Sequence, residues 1–270
     1  MSAFRSCLAC LVCLVLLSAC AAKKEPPEDL PAETLYNRGM SLMDKRDYKE
    51  ASRQFQEVDR QHPYDSWAVR AQLMAGYAEY KAMDYDAASI SLDQYIKLHP
   101  GNDDISYAYY LRALCDYERI ADVRRDQGYT QNAQKELEAV VRRFPETNYA
   151  KDAVLKLGLI DDHLAGAEME IGRNYLTQQL YNAAIGRFRR VVEKHQTTSH
   201  VPEALHRLVE CYLALGIHQE AKATAAVLGH NFPGSRWYQD SYNLLVQNNL
   251  APEEDKKSWI GQIWHDLLKG

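Results

Sequence analysis

Few residues in this sequence have the type and spacing to do chemistry. The densest cluster is Asp161-Asp162-His163, and His195, His200 and His206 follow further along. Two carboxylates and a histidine could do acid–base work or ligate a metal, provided their side chains converge. Consecutive residues on a helix point about 100° apart, so Asp161–His163 reads as a solvated face. The three histidines lack the spacing of a ligand set and read the same way. The sequence contains no Gly-x-Ser-x-Gly elbow, no P-loop, no Rossmann glycine fingerprint and no His-Glu-x-x-His helix. It predicts no catalytic residue, no metal and no cofactor. A net charge of −5 on 270 residues, without a basic run, argues against nucleic acid as a partner.

The cysteines carry a different chemistry. Cys7 to Leu17 form an apolar run too short to span a bilayer, which needs about 20 residues. With Arg5 ahead of it, the run reads as a secretory signal over residues 1–19. Leu17-Ser18-Ala19-Cys20 then resembles the bacterial lipobox, in which the cysteine thiol receives diacylglycerol. A covalent lipid on Cys20 would anchor the chain to the inner leaflet of the outer membrane. Aspartate in the next position usually holds such proteins at the inner membrane, and here it is Ala21. Residues 20–34, rich in proline and charge, read as a flexible tether. Only Cys115 and Cys211 remain in the body, where both are expected as buried, unpaired thiols.

The elements that position everything else are helices, and they repeat. Asp47-Tyr48-Lys49-Glu50-Ala51 recurs as Asp84-Tyr85-Asp86-Ala87-Ala88, an offset of 37 residues. Gly39 and Gly76, and His62-Pro63 and His99-Pro100, repeat at the same offset. Ala133, Ala184 and Ala221 mark three further copies. The pattern resembles the tetratricopeptide repeat: helix A with a small residue, a turn, helix B with alanine and a bulky residue, then proline. It predicts an all-α solenoid of five helix pairs over residues 35–249, with Gly76 facing Ala88 across repeat two. The extra residues of repeat three fall in a loop, Glu118–Tyr129, and those before repeat four in a long helix. A helix over Trp237–Gln247 closes the array.

Tyrosine is in excess, 18 against 5 phenylalanines. The register places Tyr36, Arg70, Tyr77, Tyr80, Tyr107, Tyr110 and Tyr117 on the helix A positions that line such a solenoid's groove. Tyrosine joins a large apolar face to a polar tip, which suits a bound peptide. The same residues could instead pack between repeats with their hydroxyls at the rim; the groove is the reading adopted. Residues 250–270 form a separate tail. Pro252 to Asp255 read as a helix start, and Trp259, Ile260, Ile263, Trp264 and Leu267 as an apolar stripe. Docking on a partner through Trp259, Ile263, Trp264 and Leu267 is expected, ahead of folding back on the solenoid or lying in the membrane interface.

The lipobox, the tether and the order of irregular spacings together resemble the BamD family, lipoproteins of the outer-membrane β-barrel assembly machinery. The stretches Tyr64–Pro100, Tyr107–Tyr117, Val123–Gln127, Val140–Ala153 and Glu168–Leu176 carry the resemblance. It implies a periplasmic scaffold that binds a periplasmic domain of the barrel protein BamA through its C-terminal repeats. It also implies other assembly lipoproteins as partners, and unfolded outer-membrane proteins received on the N-terminal repeats. The trimeric partner of the Tol–Pal system shares the architecture but carries an N-terminal coiled coil, and residues 21–34 have no heptads. A scaffold for peptidoglycan synthesis is the other alternative.

Overall fold

The computed structural model describes residues 29–255 and 257–267, with the side chains of 264–267 left aside. The signal segment, Cys20 and the tether up to residue 28 lie outside the described residues. Twelve α-helices, and no strand, occur among the described residues. Five antiparallel pairs come first: α1 (Ala32–Asp44) with α2 (Tyr48–Gln61), α3 (Ser66–Lys81) with α4 (Tyr85–Leu98), and α5 (Ile105–Tyr117) with α6 (Gly128–Arg143). Then come α7 (Asn148–Thr177) with α8 (Tyr181–Lys194), and α9 (Val201–Ala214) with α10 (His218–Asn231). A closing helix, α11 (Arg236–Gln247), and a tail helix, α12 (Trp259–Leu267), complete the array. Helix α1 opens at Ala32, three residues ahead of the expected Leu35. Leu30 pins that entry: its amide donates to Gln61 Oε1 (3.1 Å) and its carbonyl lies 2.6 Å from His62 Nε2.

The repeat register sets the local geometry at each turn. At the end of α1, the Arg46 amide donates to the Met43 carbonyl and the Asp47 amide to the Leu42 carbonyl. This is the paired 5→2 and 6→1 arrangement of a Schellman cap. It recurs at Met83–Asp84, Gln179–Leu180, Gly216–Ile217 and Asn249–Leu250. The left-handed residue is a glycine only at Gly216; Arg46, Met83, Gln179 and Asn249 hold φ near +60°. Asp47 and Asp84 then cap the helix that follows, accepting from the amides of Glu50 (3.4 Å) and Ala87 (3.3 Å).

Packing within each pair departs from one expectation. Gly76 faces not Ala88 but the bulky residue four positions later. A Cβ at Gly76 would stand 2.9 Å from Leu92, and one at Gly39 2.6 Å from Phe55. Gly172 makes the same close approach to Phe188. The glycine is thus a socket for the large side chain of helix B in its own repeat. Ala51, Ala88, Ala133, Ala184 and Ala221 are fully buried. Each helix packs on its chain neighbours, and A helices also touch the next A helix, α1 on α3, α3 on α5 and α5 on α7. One pair cannot cover its own apolar face, so stacking builds the core. The largest core cluster joins α7 to α11 and takes in Ile260 of the tail.

The loop of repeat three occupies residues 118–127, between α5 and α6, two residues shorter than expected because Gly128 and Tyr129 already belong to α6. The long helix is a single one of 30 residues, α7, which serves first as a bridge and then as helix A of repeat four.

Candidate peptide-binding surface

Helices α3, α5 and α7 lie side by side and bring their tyrosines into one row. The ring centroid of Tyr77 is 6.3 Å from that of Tyr107, and Tyr107 is 5.3 Å from Tyr149. Tyr110 stacks on Tyr149 at 5.4 Å. Tyr80 adjoins Tyr85 at 5.7 Å and donates its hydroxyl to Glu118 Oε1 at 3.1 Å. The Tyr110 hydroxyl donates to Asp152, whose other partner, Lys156 (3.4 Å), sits 4.9 Å over the Tyr117 ring. Rings of this kind pack partly against the cores of repeats two to four and remain partly exposed. The row packs between repeats and also presents ring surface. Burial pushes the hydroxyls of Tyr80, Tyr107 and Tyr110 well above the usual phenol range, helped by Glu118 at Tyr80 and Asp152 at Tyr110. They stay protonated, and so stay donors, at any physiological pH. Leu73 and Leu114, on the same helices, turn into the core instead.

Tyr36 and Arg70 stand apart from the row, around Trp67. The Tyr36 ring lies 4.9 Å from Trp67 and 5.4 Å from Phe55, and the Arg70 guanidinium sits 5.5 Å from the Trp67 centroid. Two residues in these arrangements were not anticipated. Trp67 and Tyr149 each sit in the first turn of their helix, outside the groove positions of the repeat, and only the stacking of helices reveals their partners.

The acid–histidine cluster resolves into a staple. Asp161 Oδ1 is 2.7 Å from His195 Nδ1, and Asp162 accepts from the Ser199 hydroxyl at 3.2 Å with His200 3.7 Å away. These contacts fasten the α8–α9 turn to α7, so the expected solvated face is corrected: its carboxylates are engaged. His206 departs further. It is buried, 2.9 Å from Ser241 Oγ, with its ring 5.3 Å from Trp237. Among the described residues no group of histidine, cysteine and carboxylate side chains could hold a metal ion. Cys115 and Cys211 are buried and free, and burial pushes their thiols up to about 11 and about 12. No described helix is long and apolar enough to cross a membrane.

The family model of the YfiO outer membrane lipoproteins matches residues 28–228. The chain belongs to this family. A relative from Caulobacter vibrioides, the outer membrane protein assembly factor BamD, is 50% identical over 240 residues, 87% of this chain and 79% of that one. Its counterpart of the same name in Rickettsia prowazekii is 46% identical, covering 85% and 92%. The one in Xylella fastidiosa (strain 9a5c) is 30% identical, covering 92% and 90%.

The YfiO family match includes every groove residue and stops before α11, so the closing helix and the tail lie beyond it. The tail folds back on the solenoid. Trp259 and Ile260 join the core of the last repeats, Ile260 completely buried. The Trp259 indole N–H donates to Glu193 Oε1 at 3.0 Å, and Arg189 lies 3.9 Å from the ring centroid. The expected helix start at Pro252 is corrected. Glu253 pairs with Lys222, and Asp255 accepts from Gln219 at 3.2 Å and from the Lys257 amide at 2.9 Å, so these acids fasten the approach to the helix onto α10 and lie ahead of its first turn. The cap is Ser258, whose hydroxyl accepts the Gly261 amide at 3.0 Å. The first turn of the stripe is therefore spent within the chain, where partner docking was expected. Ile263 is half-buried, and the side chains of Trp264 and Leu267 lie outside the described residues.

Proposed function

We propose that this chain is a scaffold of the outer-membrane β-barrel assembly machinery, held at the periplasmic face of the outer membrane by a lipid on Cys20. Its relatives' role as assembly factors supports the broad reading. The observation that carries the finer one is the continuous row from Tyr77 through Tyr107 and Tyr149 to Tyr110. Partly exposed rings in a continuous row suit an extended segment with aromatic anchors. The row receives the C-terminal segment of an unfolded outer-membrane protein, and Arg70 offers a guanidinium to its carboxylate. The last repeats bind a periplasmic domain of BamA, together with other assembly lipoproteins. The chain acts by binding and performs no covalent step.

Alanine at Tyr77, Tyr80 and Tyr110 tests the groove. Affinity for peptides ending in an aromatic residue should fall by about 2 kcal/mol for each true anchor, with BamA binding intact. Tyr110 also packs between repeats, so melting of each variant is followed in parallel. Peptide crosslinks mapping to α8–α10 would refute the assignment. Cys20→Ala tests the anchor: the variant should leave the outer-membrane fraction once BamA is depleted.

A further inference from the structure

The turns between helices A and B run along one edge of the solenoid, and the edge changes character along its length. In the first three repeats it is dense in charge: Asp44 to Asp47, then Lys81 and Asp84, then Glu118 to Asp126. In the last part no Asp, Glu, Lys or Arg occurs in residues 174–186, 211–219 or 241–252. These segments are the turns of repeats four and five and the end of α11.

The change costs helix stability at two defined places. Repeats one and two carry a capping aspartate as the first residue after the left-handed turn. Repeats four and five have the same turn hydrogen bonds, but Leu180 and Ile217 occupy that position and give no side-chain cap. Neither residue is buried in exchange: Leu180 is 49% exposed and Ile217 42%. Val246, at the end of α11, is 50% exposed. A capping group worth about 1 kcal/mol has been replaced twice by a solvent-facing aliphatic side chain. Folding alone does not account for that exchange.

Beside these residues lies an open cleft of about 510 Å³, walled by Leu176, Leu213 and Leu244, with the amides of Gln179 and Asn248 also lining it. Its single charged lining group, Glu210, is paired with Arg207 at 2.8 Å. We infer that this edge docks an uncharged segment of a partner protein, with an apolar side chain of that segment seated in the cleft. A charged segment would lose its hydration against a wall that offers no free counter-charge. A membrane surface fits less well, because it takes up protruding apolar groups flanked by lysine and arginine, and here the site is a cleft whose neighbouring base, Arg207, is taken up by Glu210 and Glu203. Uncharged polar side chains beside leucines, as here, are the groups that meet a peptide backbone and its apolar side chains. The inference rests on the reading that repeats four and five carry a protein partner, and it names the surface and the chemistry they use.

The test exploits the repeat. Leu180→Asp with Ile217→Asp restores the residue that repeats one and two use at these positions, so the full-length variant should melt at an equal or higher temperature. A photo-crosslinking amino acid is placed at Val246, at Asp47 and Asp84 on the charged part of the edge, and at Arg190 on α8, away from the edge. Crosslinking is done in intact cells, with the attachment site read by mass spectrometry. The expected result is an adduct at position 246, absent at 47 and 84, to an uncharged segment of another protein, and at least ten-fold weaker in the double aspartate chain. An adduct insensitive to the two aspartates, to lipid, to a charged segment or to a second copy of this chain overturns the inference. Adducts at 190 alone overturn it while leaving repeats four and five as a partner site. No adduct at 190 or 246 overturns both.

Discussion

Gly39 and Gly76 differ in what fills their sockets: a Phe55 ring in one, the branched end of Leu92 in the other. Gly172, under Phe188, belongs with the first. Alanine would add about 1 kcal/mol of helix propensity at each, but the methyl group would collide with its neighbour. A buried ring between two helices has nowhere to turn, whereas a leucine can change rotamer. Gly172→Ala should therefore destabilise by about 1–3 kcal/mol and Gly76→Ala by clearly less, in urea unfolding. The reverse order would mean the sockets are not rigid. Met83 makes the opposite case. It holds φ at 60° with its side chain 73% exposed. A left-handed conformation costs a side-chain-bearing residue about 1–2 kcal/mol, so Met83→Gly should raise stability by about 0.5–1 kcal/mol once glycine's greater unfolded-state freedom is subtracted. A loss on this substitution would show that Met83 makes contacts hidden by its exposure.

The two helices beyond the last repeat are held by different forces. Helix α11 docks through His206, which burial first, and Arg207 second, hold below its ordinary pKa of 6.5, against the opposing pull of Glu210, Asp240 and Glu203. The unfolded chain then binds the proton more readily than the folded one. This contribution is complete above about pH 6.5 and is lost as pH falls through the lower folded value. Melting temperature should drop between pH 7 and pH 5, and His206→Asn should flatten part of that slope. Helix α12 is held by Trp259. Trp259→Ala should cost roughly 2 kcal/mol, from lost burial and the Arg189 contact, and should move the remaining fluorescence little. Unchanged melting would put the tail off the solenoid. The helices themselves were legible in the sequence, because glycine, alanine and proline recur at fixed offsets and each spacing has a packing cause. The loop at 118–127 and the long α7 were legible as excesses over that spacing. The destination of the tail was not: an amphipathic stripe states that something covers it, and only the placement of Glu193 and Arg189 states what. The Asp161–His195 pairing and the place of Tyr149 in the row were hidden likewise, since both join residues on different helices whose approach depends on how successive repeats stack.

Across the whole molecule, stability should be additive by neighbourhood. Phe188→Ala should cost about 3–5 kcal/mol, and hydrogen exchange should quicken through α7–α11 while α1–α4 keep their protection, because each repeat touches only those beside it. Uniform loss of protection would show a single cooperative unit instead. The tyrosine row and the uncharged edge meet opposite ends of one element, helix α7, whose first turns hold Tyr149 and Asp152 and whose last turns hold Leu176. Its 30 residues form one hydrogen-bonded rod about 45 Å long. A rod does not average out what happens at its ends. A tilt of only about 5° at Tyr149 displaces the far end by about 4 Å over that length, comparable with the width of a side chain. A segment bound at the tyrosine row and one bound at the uncharged edge would be geared to each other by the length of a single helix.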